Sequence, residues 1–412
     1  MGNVTQESVT DQLMEEGRRG LEEILREGAR RLLQQAIETE VATYIEERTG
    51  YRDDRGHREV VRNGTLPERS LVTGVGQIRI KQPRVHDRRR GHRFSSSILP
   101  PYMRRVPSID ALIPALYLKG VSTGDFSEAL ESILGKEASG LSATNVVRLK
   151  EIWKKEYKEW SERDLTGKEY VYIWADGIYF NVRLDDERSC ILVVMGATAS
   201  GKKELIAILD GYRESKLSWQ EILRDMKRRG LEKAPALAVG DGNLGLWAAL
   251  REEYPGTEEQ RCWVHKTANV LDKVPKSVQG KMKTMIHEMY LSPTKALALE
   301  AYDEFMHLYR DKFPKACACL ERDKDVLFTF YDFPAAHWVH IRSTNPIEST
   351  FATVRHRTKR TKGCGSRIAT LTMVFKLARE AEKHWRRLNQ YQLVLKVIAG
   401  EKFIDGELSK AA

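Results

Sequence analysis

Between residues 170 and 264 the chain carries apolar runs too short for buried helices and too regular for loops, and these restrict its fold most. Tyr170-Val171-Tyr172-Ile173-Trp174-Ala175 and Ala236-Leu237-Ala238-Val239-Gly240 are apolar on both strand faces. Each therefore predicts a strand covered by protein on both sides, and each stops at an Asp-Gly pair. Residues 178–184 and 190–195 predict two strands that meander antiparallel to the first, and residues 260–264 predict a fifth. Helical patterns at 218–229 and 244–253 separate the later strands, and 266–339 is helical almost throughout. The order β-β-β-α-β-α-β predicts an α/β fold: a mixed five-stranded sheet with helices on its faces, interrupted by an all-α insertion.

A chain of 412 residues, 41% hydrophobic, can bury a large core. Its longest strongly apolar stretch, around 191–199, falls far short of the roughly 18 residues a membrane span needs. The first residues lack an apolar signal core, and Gln6 stands where a myristoylation site wants Ser or Thr. The expected location is the cytoplasm, at the nucleoid, with no membrane partner. Lys plus Arg number 68 against 58 acids, a net charge of +10 that favours polyanions, nucleic acid first. The five cysteines, Cys190, Cys262, Cys317, Cys319 and Cys364, are odd in number and form no C-x2-C pair. A disulfide framework and a four-cysteine zinc site are both disfavoured.

In the N-terminal part, Leu21, Ile24, Leu25, Leu32, Leu33, Ala36, Ile37, Val41, Tyr44 and Ile45 recur at helical spacing before Gly50. Such a stripe must pack on the chain or pair with a second copy. Asn63-Gly64 signals a hairpin, and residues 77–81 alternate with period two, so a small β unit follows. Arg79, Lys81, Arg84, Arg88, Arg89, Arg90 and Arg93 face the single acid Asp87, a field suited to backbone phosphates although solvated loops also carry such runs. Helical segments at 113–119 and 123–134 precede one capped by Ser142. That last segment presents Thr144, Asn145 and Arg148 as a groove-reading helix would. Helix-turn-helix geometry also occurs without DNA; the basic stretch upstream tips the reading toward DNA.

Gly196-Ala-Thr-Ala-Ser-Gly201-Lys202 nearly spells a phosphate-binding loop, but Lys203 replaces the required Ser or Thr, so a plain turn is expected. The chemistry is expected at three carboxylates. Asp176 and Asp241 follow apolar strands, and Glu348 lies in the first turn of a helix for which Asn345 reads as the N-cap and Pro346 as the first residue. Singly, Asp-Gly is an ordinary turn and Glu348 an ordinary capping-box acid. Their company separates them: residues 349–379 hold no acid, while Arg355, Arg357, Lys359, Arg360, Lys362 and Arg367 crowd after Glu348. Gathered acids raise one another's pKa unless a dication neutralises them. Magnesium takes few carboxylates and keeps positions for phosphate and water. Two such ions about 3.5–4 Å apart can run an in-line phosphoryl transfer.

Asp176-Gly177, Gly240-Asp241-Gly242, Cys262-Trp263-Val264-His265-Lys266 and Thr344-Asn345-Pro346-Ile347-Glu348-Ser349 together resemble the Mutator-like DDE transposases of bacterial insertion sequences. Asp241 follows Asp176 by 65 positions and Glu348 follows by a further 107, a long gap matching that family's helical insertion. The resemblance covers nearly the whole chain. It implies a ribonuclease-H-like core with Asp176, Asp241 and Glu348 as the catalytic triad on two Mg2+ ions, for which Mn2+ can substitute. The family's C-x2-H motif maps onto Cys262 and His265, for which a buried Cys and a hydrogen-bonding His beside the active centre outweigh a metal site. Arg342, with His337 and Trp338, could hold a phosphate or stack a base, although core packing explains Trp338 as well.

The expected regions are an amphipathic helix (1–50), a small basic β region (51–101), a helix-turn-helix-like DNA-binding domain (102–165), the core (166–265), its insertion (266–341), the closing helix (342–390) and a tail (391–412). The function so implied is Mg2+-dependent cleavage and strand transfer at an element's ends by a homodimer or larger assembly, with double-stranded DNA, terminal inverted repeats and target DNA as partners. The rivals are a structure-selective nuclease on the same fold and a catalytically inactive DNA-binding derivative.

Overall fold

The computed structural model describes residues 6–109, 116, 143–180, 189–211, 213–360 and 366–409, with side chains for all of these except 6–19, 143–149, 180, 189, 350, 353 and 356–360. The structure divides into two compact units, residues 1–149 and 150–412. The expected segments at 113–119 and 123–134 lie outside the described residues, apart from Leu116.

In the first unit a helix runs from Gln6 to Glu46. Four strands follow, β1 (Val60–Thr65), β2 (Arg69–Thr73), β3 (Gly76–Ile80) and β4 (Pro83–Asp87), paired antiparallel as β1 with β4 and β2 with β3. The apolar stripe of the long helix divides. Its later part packs on the strands, with Leu33 and Ile37 against Leu71, Ile78, Ile80 and Leu99, while Leu21, Ile24, Leu25 and Leu32 stay exposed. Asn63-Gly64 does not turn a hairpin. Between Arg62 and Thr65 strand β1 gains one residue over β4, and Gly64, at φ 69°, supplies the left-handed backbone of the bulge. The tight hairpin is instead the Thr73–Gly76 link, with Gly76 at φ 100°.

The second unit is mixed α/β. After a helix Ala143–Ser161, strands β5 (Tyr170–Phe180), β6 (Ser189–Thr198), β7 (Lys203–Gly211), β8 (Leu237–Gly240) and β9 (Glu258–Arg261) form one sheet in the order β7-β6-β5-β8-β9. The first three meander antiparallel, and β8 and β9 run parallel to β5. Helices Lys216–Arg228 and Leu244–Glu253 make the crossovers and bury Trp219, Leu223, Leu246 and Leu250 with Ile173, Ala175 and Ala238. The opposite face is covered from far along the chain. Tyr172 OH meets His337 Nδ1 at 2.8 Å, and Trp174 Nε1–H donates to the His340 carbonyl at 2.9 Å. Burial on both faces explains why these strands read as continuous apolar runs.

Three strand expectations change. The fifth strand is Glu258–Arg261 rather than 260–264, because Trp263 and Val264 already belong to the next helix. The Asp176-Gly177 pair is not a turn: β5 continues through it, with Asp176 opposite Val193 and Gly177 opposite Leu192 of β6. Partnering by β6 keeps the backbone extended where the dipeptide alone would bend. The third antiparallel strand is Lys203–Gly211, reached by a turn in which Thr198 N–H donates to Lys202 O at 2.9 Å. No helix follows that glycine-containing turn; Lys203 opens a strand, and its Nζ is buried against the Arg386 carbonyl at 2.7 Å.

Helices Trp263–Leu271, Lys276–Leu291, Lys295–Tyr309 and Pro314–Glu321 follow the sheet. Helix Asn345–Arg360 then leads to Arg367–Glu382, which returns to the β7 edge through Arg367 with Asp210 (2.9 Å) and Leu205 N–H with Glu382 Oε1 (2.8 Å).

Candidate active site

Parallel pairing sets the first two acids side by side. Ala175 of β5 is level with Gly240, the last residue of β8, so Asp176 and Asp241 are next in line on neighbouring strands that lie about 4.8 Å apart. Asp176 is 5% exposed and accepts the Gly177 N–H at 2.8 Å. Burial, and then the charge of Asp241, push its carboxyl up to about 7. Asp241 accepts the Asn243 N–H at 3.0 Å, and Asn243 caps helix Leu244–Glu253 by accepting from Gly245 N–H at 2.8 Å.

The third acid arrives from a helix. The first four-residue backbone bond of helix Asn345–Arg360 runs from Glu348 N–H to Thr344 O at 3.0 Å, which makes Thr344, not Asn345, the capping residue. This removes the capping-box reading of Glu348, because the Asn345 N–H meets Ser343 Oγ at 3.4 Å instead. The Glu348 carboxylate accepts the Thr344 hydroxyl at 2.6 Å and lies 3.8 Å from His265 Nε2.

His265 and Cys262 join this cluster from the start of helix Trp263–Leu271. Burial alone would raise the Cys262 thiol, but hydrogen bonds from His265 and Thr344 outweigh it and hold the thiol below its ordinary value. The hydrogen bond to Cys262 lifts His265 to about 9, with Asp176 and Glu348 adding their charges. Cys262, His265 and Glu348 bring ligand atoms within 4.8 Å of one another, and this is the metal-capable group found among the described residues; His287, Cys317 and Cys319 are not in it. Lys266 of the same run is structural, its Nζ donating to Cys319 O at 2.7 Å.

Glu214, which the sequence reading passed over, belongs to the same neighbourhood. Its carboxylate lies across Gly177, where a Cβ would come within 2.4 Å of its Oε1. Burial and the charge of Asp241 push it up to about 7, against hydrogen bonds from Tyr179 and Asn243. Its position between β7 and a helix capped by Ser215 carried no local sign of this. Asp176 and Glu214 are costly to ionise unaided, as acids that await a dication are, but the metal-capable group among the described residues is the mixed sulfur, nitrogen and oxygen set of Cys262, His265 and Glu348 and includes neither.

The expected DNA contacts divide. Arg79, Lys81, Arg84, Arg88, Arg90 and Arg93 are exposed, whereas Arg89 folds back on Asp87 through Nε at 2.9 Å and Nη2 at 2.6 Å. Arg342 is half-buried, with Nη1 on the Tyr290 carbonyl at 2.8 Å and its guanidinium 5.2 Å from the Tyr290 ring. His337 is fully buried, and Trp338 Nε1–H donates to Phe333 O at 2.8 Å, so both pack the core. Arg355 is exposed on helix Asn345–Arg360, 5.8 Å over the Phe351 ring. Arg357, Lys359 and Arg360 share that helix, and Thr144, Asn145 and Arg148 lie on helix Ala143–Ser161, but their side chains are outside the description, as is Lys362 altogether.

Asp176 and Asp241 thus stand level on adjacent parallel strands, and Glu348 approaches His265 from a helix. The family described as "Transposase, Mutator family" matches residues 3–388. The transposase for insertion sequence element IS6120 of Mycolicibacterium smegmatis is 52% identical over 72% of this chain and 91% of its own length. That for IST2 of Acidithiobacillus ferrooxidans is 51% identical over 68% and 94%. That for IS256 in transposon Tn4001 of Staphylococcus aureus is 31% identical over 79% and 81%. The chain belongs to the Mutator family of transposases. No helix among its described residues is long and apolar enough to cross a membrane.

Proposed function

We propose that this protein binds the ends of an insertion sequence and cleaves and rejoins DNA strands there, with Asp176, Asp241 and Glu348 as its catalytic acids. The carrying observation is the register that puts Asp176 and Asp241 next in line on β5 and β8. The sheet order, three antiparallel strands followed by two parallel ones, supports a ribonuclease-H-like core. Two Mg2+ ions held by the three carboxylates, or Mn2+ in their place, would activate the attacking oxygen and neutralise the departing one.

The chain's own part is to hold these groups rigid. Strand β5 carries Asp176 between two partners, Asn243 ties down the loop of Asp241, and Thr344 orients Glu348. Hydrolysis exposes a 3′ hydroxyl that attacks a second phosphodiester, and no covalent enzyme intermediate is required. The exposed arginines of the first unit supply backbone binding to double-stranded DNA at the terminal inverted repeats and the target. The exposed leucines of helix Gln6–Glu46 support pairing with a second copy. Action on DNA places the protein in the cytoplasm at the nucleoid.

Purified protein incubated with end-containing DNA, with and without Mg2+, tests this reading. Asp176→Asn, Asp241→Asn and Glu348→Gln should each abolish cleavage and leave end binding nearly intact. Retained cleavage by any of the three removes the assignment. Cutting without joining of pre-cut ends would make the protein a nuclease instead.

A further inference from the structure

Glu348 has to be placed beside two acids that lie more than a hundred positions earlier in the chain, and helix Asn345–Arg360 enters after a long helical block. A continuous set of hydrogen bonds spans the gap. Cys262 N–H donates to the carbonyl of Gly240, the residue before Asp241, at 2.8 Å. Cys262 Sγ accepts the Thr344 N–H at 3.3 Å. Thr344 Oγ–H donates to Glu348 Oε1 at 2.6 Å. Cys262 and Thr344 are both fully buried, so water cannot replace the bond between them.

Every polar group of Thr344 is used. Its carbonyl accepts from Ile347 (2.9 Å) and Glu348 (3.0 Å), and its amide is committed to sulfur. A hydroxyl has one proton, and the 2.6 Å contact to a carboxylate is the strongest of its three. The contacts of Oγ with Cys262 Sγ at 3.3 Å and His265 Nδ1 at 3.4 Å are longer, and His265 Nδ1–H can donate to it. Both the Thr344 bond and the His265 approach fall on Oε1 of Glu348.

We infer that Thr344 is a positioning residue for Glu348: anchored through Cys262 to the strand of Asp241, its hydroxyl holds one oxygen of the third acid and leaves the other for the reacting centre. The inference rests on the catalytic reading of Glu348 given above. Loss of a half-buried bond to a charged group should lower turnover by roughly 10- to 100-fold. Thr344 is fully buried and valine keeps its volume and β-branching, so the hydroxyl is best removed by the isosteric Thr344→Val.

The test uses the full chain and measures the cleavage rate at saturating end DNA, the affinity for that DNA, and the melting temperature. Thr344→Val should lose at least about tenfold in rate with affinity unchanged, and Thr344→Ser should recover to within about fivefold of the parent. A valine variant cleaving at the parental rate overturns the inference. So does a folded serine variant as impaired as the valine one, and the serine result decides the matter if the valine variant fails to fold. Glu348→Gln is run alongside. Should it cleave like the parent, the catalytic reading of Glu348 itself fails, whereas an inactive Glu348→Gln beside an active Thr344→Val removes only the role of Thr344.

Discussion

Glu214 carries a measurable consequence of its placement. Its carboxyl is lifted from 4.5 to about 7 by burial and by Asp241, so the folded chain binds that proton more tightly than the unfolded chain does. For an acid shifted upward, stability is greatest while it is protonated, declines as pH rises past 4.5, and levels off above about 7. Without Mg2+, Glu214→Gln should therefore be more stable than the parent at pH 8 by roughly 1–3 kcal/mol, the shift being discounted for partial exposure, and should lose that advantage near pH 4.5. Thermal melts at the two pH values check this; a parent as stable as the variant at pH 8 contradicts it. No local pattern marks Glu214, because its environment comes from Gly177, Tyr179 and Asp241 on other elements. Asp176 and Asp241 were readable for the opposite reason: each directly follows or sits within an apolar run that forms a strand in any context.

Crossover helices show how an element's neighbours can reverse its local preferences. Gly245 opens helix Leu244–Glu253, where alanine would ordinarily gain about 1 kcal/mol in helix propensity. A Cβ there would approach the Lys216 amide nitrogen at 2.7 Å and the Glu214 carbonyl at 2.8 Å, and backbone atoms cannot rotate aside. Gly245→Ala is predicted to destabilise the chain by about 1–3 kcal/mol, read by denaturant unfolding; a neutral or stabilising result would refute the close helix contact. The same lesson covers two of the Asx-Gly pairs. Asn63-Gly64 becomes a bulge in β1, and Asp176-Gly177 stays extended in β5, because a paired neighbouring strand outweighs the dipeptide's tendency to turn.

Across the whole molecule, a net charge of +10 makes association with DNA an electrolyte-sensitive process. Arg88→Ala and Arg90→Ala should each weaken end binding and flatten its dependence on log salt by about one unit. Arg89→Ala should chiefly lower the melting temperature, since Arg89 is paired with Asp87, whose side chain is 1% exposed and also accepts from Tyr44 OH at 2.8 Å. Salt titrations and melts on the three variants separate the two behaviours, and equal effects on DNA binding would refute the distinction. The order of strands, the positions of the three acids and the sign of the charge were determined by the sequence alone, because apolar runs and side-chain chemistry are local properties. Only tertiary structure decided that Asp176 and Asp241 stand level, that Glu214 lies close to Asp241 and Thr344 on Glu348, and that Arg89, Arg342 and His337 turn inward. Those outcomes follow from pairing and burial between segments distant in the chain, where the cost of an unsatisfied buried group, rather than any local preference, selects the partner.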